Sequence, residues 1–151
     1  MTIAFVAVGG NLGDARATVL RAMDDLATLS HTHVLARSSL YRSAPVDATG
    51  PDFINAVVAI DTALGPHELL AELQRLELGA GRERPYRNAP RTLDLDLLLH
   101  GDQQVDTPML TLPHPRMAQR AFVLLPLAEI APDRVAPDLI AEVADQPIER
   151  L

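Results

Sequence analysis

The apolar periodicity switches in a fixed order between residue 2 and residue 99, and that order restricts the fold more than any other feature. Residues 2–8 are β-branched or apolar and stop at Gly9-Gly10-Asn11, which predicts a buried first strand closed by a turn. Asp14 is placed to cap a helix in which Val19, Ala22, Met23, Leu26 and Leu29 recur at helical spacing up to about Ser30. Residues 33–42 predict a second strand and 53–62 a third, separated by a loop over 43–52 that contains two prolines and a glycine. Pro66 opens a second helix whose stripe is Leu69, Leu70, Leu73 and Leu76, reaching Gly79. A loop over 80–91 follows, then a fourth strand over 93–99 closed by His100-Gly101-Asp102. The order is βαββαβ, an α+β, ferredoxin-like antiparallel sheet with helices on one face. The proline-rich remainder reads as a C-terminal extension with a short strand or hairpin and brief helices. At 151 residues, 48% of them hydrophobic, the chain reads as a single catalytic domain, 1–151.

Within the fourth strand, Leu93-Asp94-Leu95-Asp96-Leu97 alternates strictly, so both carboxylates project to one face while the leucines enter the core. Two Asp Cα atoms at that spacing lie ~7 Å apart. Such a pair either forms a solvated outer face or converges on hard cations, with phosphate and water oxygens completing the shell. Just upstream, Arg82, Arg84, Arg87 and Arg91 make a cationic loop in a chain of net charge −7. Every basic residue is arginine, which excludes a P-loop lysine and any Schiff base, so phosphate binding here must rest on guanidinium forks. That loop is either a solvated surface or one half of a polyanion grip.

A second basic group, His114-Pro115-Arg116 with Arg120, contains no acidic residue, and His114 reads as a turn residue or as a ligand. Glu77 falls on the apolar stripe of its helix, between Leu70 and Leu73, so it needs a partner. That partner is a loop arginine or a cleft; Gln74 borders the same face. Phe53 and Phe122 are core residues, or they flank a pocket for a flat heterocycle with Asn55 presenting its amide. The acidic charge disfavours nucleic acid and anionic membrane as partners. The absence of cysteine excludes disulfides and thiolate sites and fits a cytoplasmic protein. Residues 3–8 are too short a run for a signal or a membrane span.

Several blocks together resemble the hydroxymethyldihydropterin pyrophosphokinase family of folate biosynthesis. They are Gly9-Gly10-Asn11-Leu12-Gly13, Tyr41-Arg42-Ser43, Pro51-Asp52-Phe53-Ile54-Asn55-Ala56, Glu77 with Gly81-Arg82 and Arg84, Pro90-Arg91-Thr92-Leu93-Asp94-Leu95-Asp96, and Pro113-His114-Pro115-Arg116-Met117 with Arg120 and Phe122. The likeness runs from residue 3 to about 132. It implies that Asp94 and Asp96 hold two Mg²⁺ ions between ATP and the pterin hydroxyl, with Arg82 and Arg91 sharing in catalysis. It also implies that Gln74, Glu77, Arg82, Arg84, Arg91, Thr111, His114 and Arg120 bind ATP. On the 6-hydroxymethyl-7,8-dihydropterin side it implies Ser43, Val46, Phe53, Asn55 and Phe122. The expected activity is transfer of pyrophosphate from ATP with release of AMP, by a monomer. This chain departs from the family pattern at Phe53, where relatives often carry tyrosine, and at Ala44 and Asn88. Competing readings are a kinase or nucleotidyltransferase for another small alcohol, and a ferredoxin-like regulatory or RNA-binding module.

Overall fold

Phe53–Thr62 is a ten-residue strand with seven consecutive buried positions, Ile54 to Ile60, so it must be covered on both faces, and the rest of the chain is arranged around it. A computed structural model describes residues 1–45, 50–80 and 93–151. The element order is β1 (Thr2–Gly10), α1 (Ala15–Leu26), β2 (Thr32–Arg37), β3 (Tyr41–Ser43), β4 (Phe53–Thr62), α2 (Pro66–Gly79), β5 (Asp94–His100), β6 (Val105–Asp106), β7 (Thr111–Leu112), α3 (Ala121–Ile130), α4 (Pro137–Glu142) and β8 (Ile148–Arg150). Turns of 3₁₀ helix lie at Met117–Gln119 and Pro132–Arg134.

The main sheet runs β5-β1-β4-β3-β8, with β2 also on β4, and every pairing in it is antiparallel. On one face Ala4, Val6, Val8, Val58 and Ile60 meet the α1 stripe Val19, Ala22, Met23 and Leu26, together with Leu69 and Leu73 of α2. On the other face Phe5, Val57, Ala59 and Leu98 meet Val123, Leu124 and Leu127 of α3. Helices therefore cover both faces, where the sequence predicted one. Pro126 sits inside α3 and removes a backbone donor there; burial of Val123, Leu124 and Leu127 holds the helix despite it.

The helix starts are locally encoded. The Asp14 carboxylate accepts the Ala17 N–H at 3.1 Å, and Glu68 reaches back to the Gly65 N–H at 3.1 Å ahead of Pro66. Three boundaries differ from expectation. Helix α1 ends at Leu26 and gives way to turns as far as Leu29. The segment 33–42 splits into β2 and β3, because the Ser38 hydroxyl takes the Val57 N–H of β4 at 2.9 Å and Glu129 takes the Ser39 N–H at 3.0 Å, which replace ladder bonds with side-chain bonds. Gly9 and Gly10 belong to β1 rather than to a turn. A Cβ on Gly9 would stand 3.0 Å from Asn55 Oδ1, its cross-strand neighbour, a contact tight enough that the amide would have to give by a few tenths of an ångström.

Candidate active site

The register of the sheet gathers the predicted residues on the α3 face, at the end of the sheet occupied by Gly9 and Asn55. Asp94 pairs with Gly9 and Asp96 with Ala7 across β5 and β1. Asn55 pairs with Gly9 across β4, and Phe53 with Ser43 across β3. These side chains form the floor of a cleft of about 790 Å³ whose wall includes Arg116, Arg120, Phe122 and Gln146. The alternation read from the sequence holds: Leu93, Leu95 and Leu97 are buried, while Asp94 and Asp96 are half-buried on the opposite face and line the cleft.

The floor is polar but hydrogen-bonded. Asn55 and Ser43 are both buried, and the Asn55 amide donates to the Ser43 hydroxyl at 2.9 Å. Phe53 and Phe122 are each half-buried in the same cleft, so two aromatic surfaces border its apolar portion. The Arg120 guanidinium lies over the Phe122 ring, 5.4 Å from its centroid.

Across the edge strand β5 lies a second, smaller cleft of about 240 Å³, between Leu70 of α2 and the Thr107–Thr111 part of the β6–β7 hairpin. Asp96 borders both clefts, and Thr111 and His114 line the second. Burial lowers the His114 pKa from its ordinary value of 6.5; Asp96 opposes the shift, and Arg120 and Arg116 add to it. The His114 Nδ1 accepts the Arg116 N–H at 3.2 Å, which leaves the neutral ring its proton on Nε2. Glu77 meets the requirement for a partner in part through β5: its carboxylate accepts the Leu95 N–H, between the two aspartates, at 2.8 Å. The side chain therefore ties α2 to the strand that carries Asp94 and Asp96.

Gln74 is exposed on α2 and does not appear among the described residues lining either cleft. Val46, Arg82, Arg84 and Arg91, with Arg87 and Asn88, lie outside the described residues. Sequence reasoning missed Gln119 and Gln146 of the cleft wall, since neither breaks a hydrophobic pattern, and it placed Arg116 in a basic group without giving it a role. Among the described residues no group of three or more His, Cys, Asp or Glu side chains could hold a metal. A cation at the paired aspartates would complete its shell with ligand and water oxygens, a donor set that fits Mg²⁺. No helix among the described residues is long and apolar enough to cross a membrane.

The family model described as 7,8-dihydro-6-hydroxymethylpterin-pyrophosphokinase matches residues 5–132. The chain is 47% identical over 154 aligned positions to the 2-amino-4-hydroxy-6-hydroxymethyldihydropteridine pyrophosphokinase of Pseudomonas aeruginosa, covering 97% of this chain and 95% of that one. It is 43% identical over 149 positions to the enzyme of the same name from Haemophilus influenzae, covering 97% and 93%. Among solved structures it is similar to an HPPK-DHPS in complex with substrates, with a TM-score of 0.65 at 13% identity. It is likewise similar to the Plasmodium falciparum HPPK-DHPS wild type with SDX-DHP, at 0.67 and 14%. The match spans 40% and 43% of those longer chains, 87% and 94% of this one, and bears on the fold alone.

Proposed function

The chain belongs to the 7,8-dihydro-6-hydroxymethylpterin-pyrophosphokinase family, and from that premise we propose how its cleft carries out the reaction. It is an enzyme of folate biosynthesis that transfers pyrophosphate to hydroxymethyldihydropterin. The donor in this reading is ATP, and the pterin hydroxymethyl oxygen attacks the β-phosphorus in line as AMP leaves. One observation carries the residue assignment: Asp94 and Asp96 share a single cleft with two half-buried phenylalanines and the Asn55–Ser43 pair.

The pterin ring lies between Phe53 and Phe122, above Asn55 and Ser43, with its hydroxymethyl arm toward the aspartates. Buried amide and hydroxyl groups suit a heterocycle rimmed with donors and acceptors, because the bond between Asn55 and Ser43 uses only part of their donor and acceptor capacity. Asp94 and Asp96 would hold two Mg²⁺ ions, which when bound neutralise charge on the transferring phosphates. Arg116 and Arg120 line the same cleft and offer guanidinium forks to phosphate oxygens. Arg82, Arg84 and Arg91 join them in the reading drawn from the family resemblance. The second cleft takes the nucleoside end of ATP beside Thr111 and His114, with the triphosphate crossing β5, a reading supported by Asp96 bordering both clefts. Glu77 serves this arrangement by holding the Leu95 amide. Catalysis then consists of positioning and preorganised charge, with no protein nucleophile.

The reading extends to a ferredoxin-like fold. Its support is the order β1-α1-β2/β3-β4-α2-β5 combined with the neighbour order β5-β1-β4-β2/β3. It extends also to one catalytic domain, supported by two cores built on the same sheet, and to a cytoplasmic setting, supported by the lack of cysteine.

Asp96→Ala tests the metal seat. Turnover at saturating Mg²⁺ should fall about 10³-fold or more while circular dichroism and Tm stay near wild type. Substantial residual turnover in the folded variant contradicts the assignment.

A further inference from the structure

We propose that Gln146 is a positioning residue for the pterin side of the cleft, acting from a C-terminal segment that lies beyond the matched residues 5–132. The inference rests on the functional reading above and names what sets its aromatic wall.

Helix α3 begins at Ala121 after Arg120, whose backbone is extended (φ −126°, ψ 115°). An arginine side chain has no acceptor, so the N-cap cannot satisfy the first-turn amides, and no side-chain cap bond is made by Arg120. Gln146 supplies the missing partner from a distant part of the sequence. Its Oε1 accepts the Ala121 N–H at 2.9 Å and its Nε2 donates to the Gln119 carbonyl at 2.8 Å. The amide thus brackets Arg120, fixing the backbone on both sides of the residue whose guanidinium covers Phe122. Phe122 follows Ala121 directly, so the ring's seat in the cleft depends on this clamp.

Gln146 is itself anchored to the floor of the cleft. Two residues later, β8 pairs with β3, Ile148 standing opposite Ser43. The strand is locked further by Leu151 N–H to the Leu40 carbonyl at 2.9 Å and by Arg150 Nε–H to the Ser39 hydroxyl at 3.1 Å. One short segment, 146–151, therefore connects the strand carrying Ser43 to the helix carrying Phe122. Both residues line the cleft, so the segment couples its floor to its aromatic wall.

If the clamp is released, the wall samples unseated positions, and apparent pterin affinity falls by the fraction of time that it is seated. The test uses the full-length protein with Gln146→Met, which keeps the length of the side chain and loses both bonds. The KM for 6-hydroxymethyl-7,8-dihydropterin should rise about fivefold with kcat within about twofold of wild type, and any rise in the ATP KM, transmitted through Arg120, should be smaller. The Ala121 amide should exchange faster with deuterium by NMR. Gln146→Glu keeps the acceptor for Ala121 and loses the donor to Gln119, so it should recover part of the pterin KM. Glu149→Ala, on the same segment but exposed, should match wild type. Wild-type turnover with an unchanged pterin KM in Gln146→Met overturns the inference alone, as does a uniform loss of activity in proportion to unfolded protein. A wild-type protein that transfers no pyrophosphate overturns the functional reading and this inference with it.

Discussion

Glu129 of α3 is the polar hub between the helix and the broken edge of the sheet, and replacing it with alanine should be among the most costly single changes outside the apolar cores. Its carboxylate accepts the Tyr41 hydroxyl at 2.7 Å, the Ser39 N–H at 3.0 Å and the Ser39 hydroxyl at 3.0 Å. Tyr41 is only 5% exposed, so its hydroxyl has little recourse to water once the carboxylate is gone. Three donors lose this acceptor, the buried Tyr41 hydroxyl and the two half-buried groups of Ser39, and a buried donor left unpaired costs about 1–3 kcal/mol. Because the Glu129 side chain is 20% exposed, water replaces part of the loss, and the expected cost is about 2–4 kcal/mol. Glu129→Gln keeps an acceptor and should cost about half as much. The assay is urea denaturation, read as a shifted midpoint at constant m.

The same pair fixes the pH dependence. Burial, then the hydrogen bond and charge of Glu129, push the Tyr41 pKa from 10.0 up to about 12. That contribution is complete below pH 10 and disappears as pH rises toward about 12, a loss on the order of 2–3 kcal/mol. For Glu129 burial acts upward, but hydrogen bonds from Tyr41 and Ser39, with the charge of Arg150, outweigh it and lower the pKa from 4.5. Its contribution is present above 4.5 and is lost as pH falls through the folded value. The stability gap between wild type and Glu129→Gln should therefore be widest near neutrality and narrow toward both extremes. A Glu129→Ala protein within about 0.5 kcal/mol of wild type at neutral pH would refute the reasoning.

Gly9→Ala places a Cβ 3.0 Å from Asn55 Oδ1, so the amide on the cleft floor must give by a few tenths of an ångström. Stability should fall by about 1 kcal/mol and the pterin KM should rise several-fold; an unchanged KM would show that the Asn55 position is immaterial. His114 should titrate below 6.5 in the folded protein by NMR. The unfolded chain then takes up this proton first as pH falls, so stability should decline with acidification below about pH 7, and His114→Asn should flatten that slope; a folded pKa above 6.5 would contradict it.

The legible part of the molecule is the part in which local pattern and tertiary environment agree. Strand β4, helix α2 and the alternation of β5 could be read because burial on two faces, on one stripe and on one side each leave a distinct spacing. In the candidate site Glu77 stood out as an exception to those patterns, whereas Asp94 and Asp96 followed the alternation and drew attention through the arginines that precede and follow them. Where partners come from far away, the sequence is silent. The break between β2 and β3 is made by Ser38 and by Glu129, ninety residues downstream of Ser39. The position of Gly9 inside a strand depends on an amide on the neighbouring strand. Helix α3 contains a proline that local rules disfavour, and β8 is a three-residue strand that exists only as an addition to β3. Gln146 carries no pattern at all, since its role is defined wholly by what it reaches.

The most direct test of the central claim is the identity of the products. With wild-type protein, Mg²⁺, ATP and 6-hydroxymethyl-7,8-dihydropterin, phosphorus NMR should show AMP and the pterin pyrophosphate appearing together in equal amounts. Formation of ADP, or of free pyrophosphate with a nucleotidylated pterin, would contradict it.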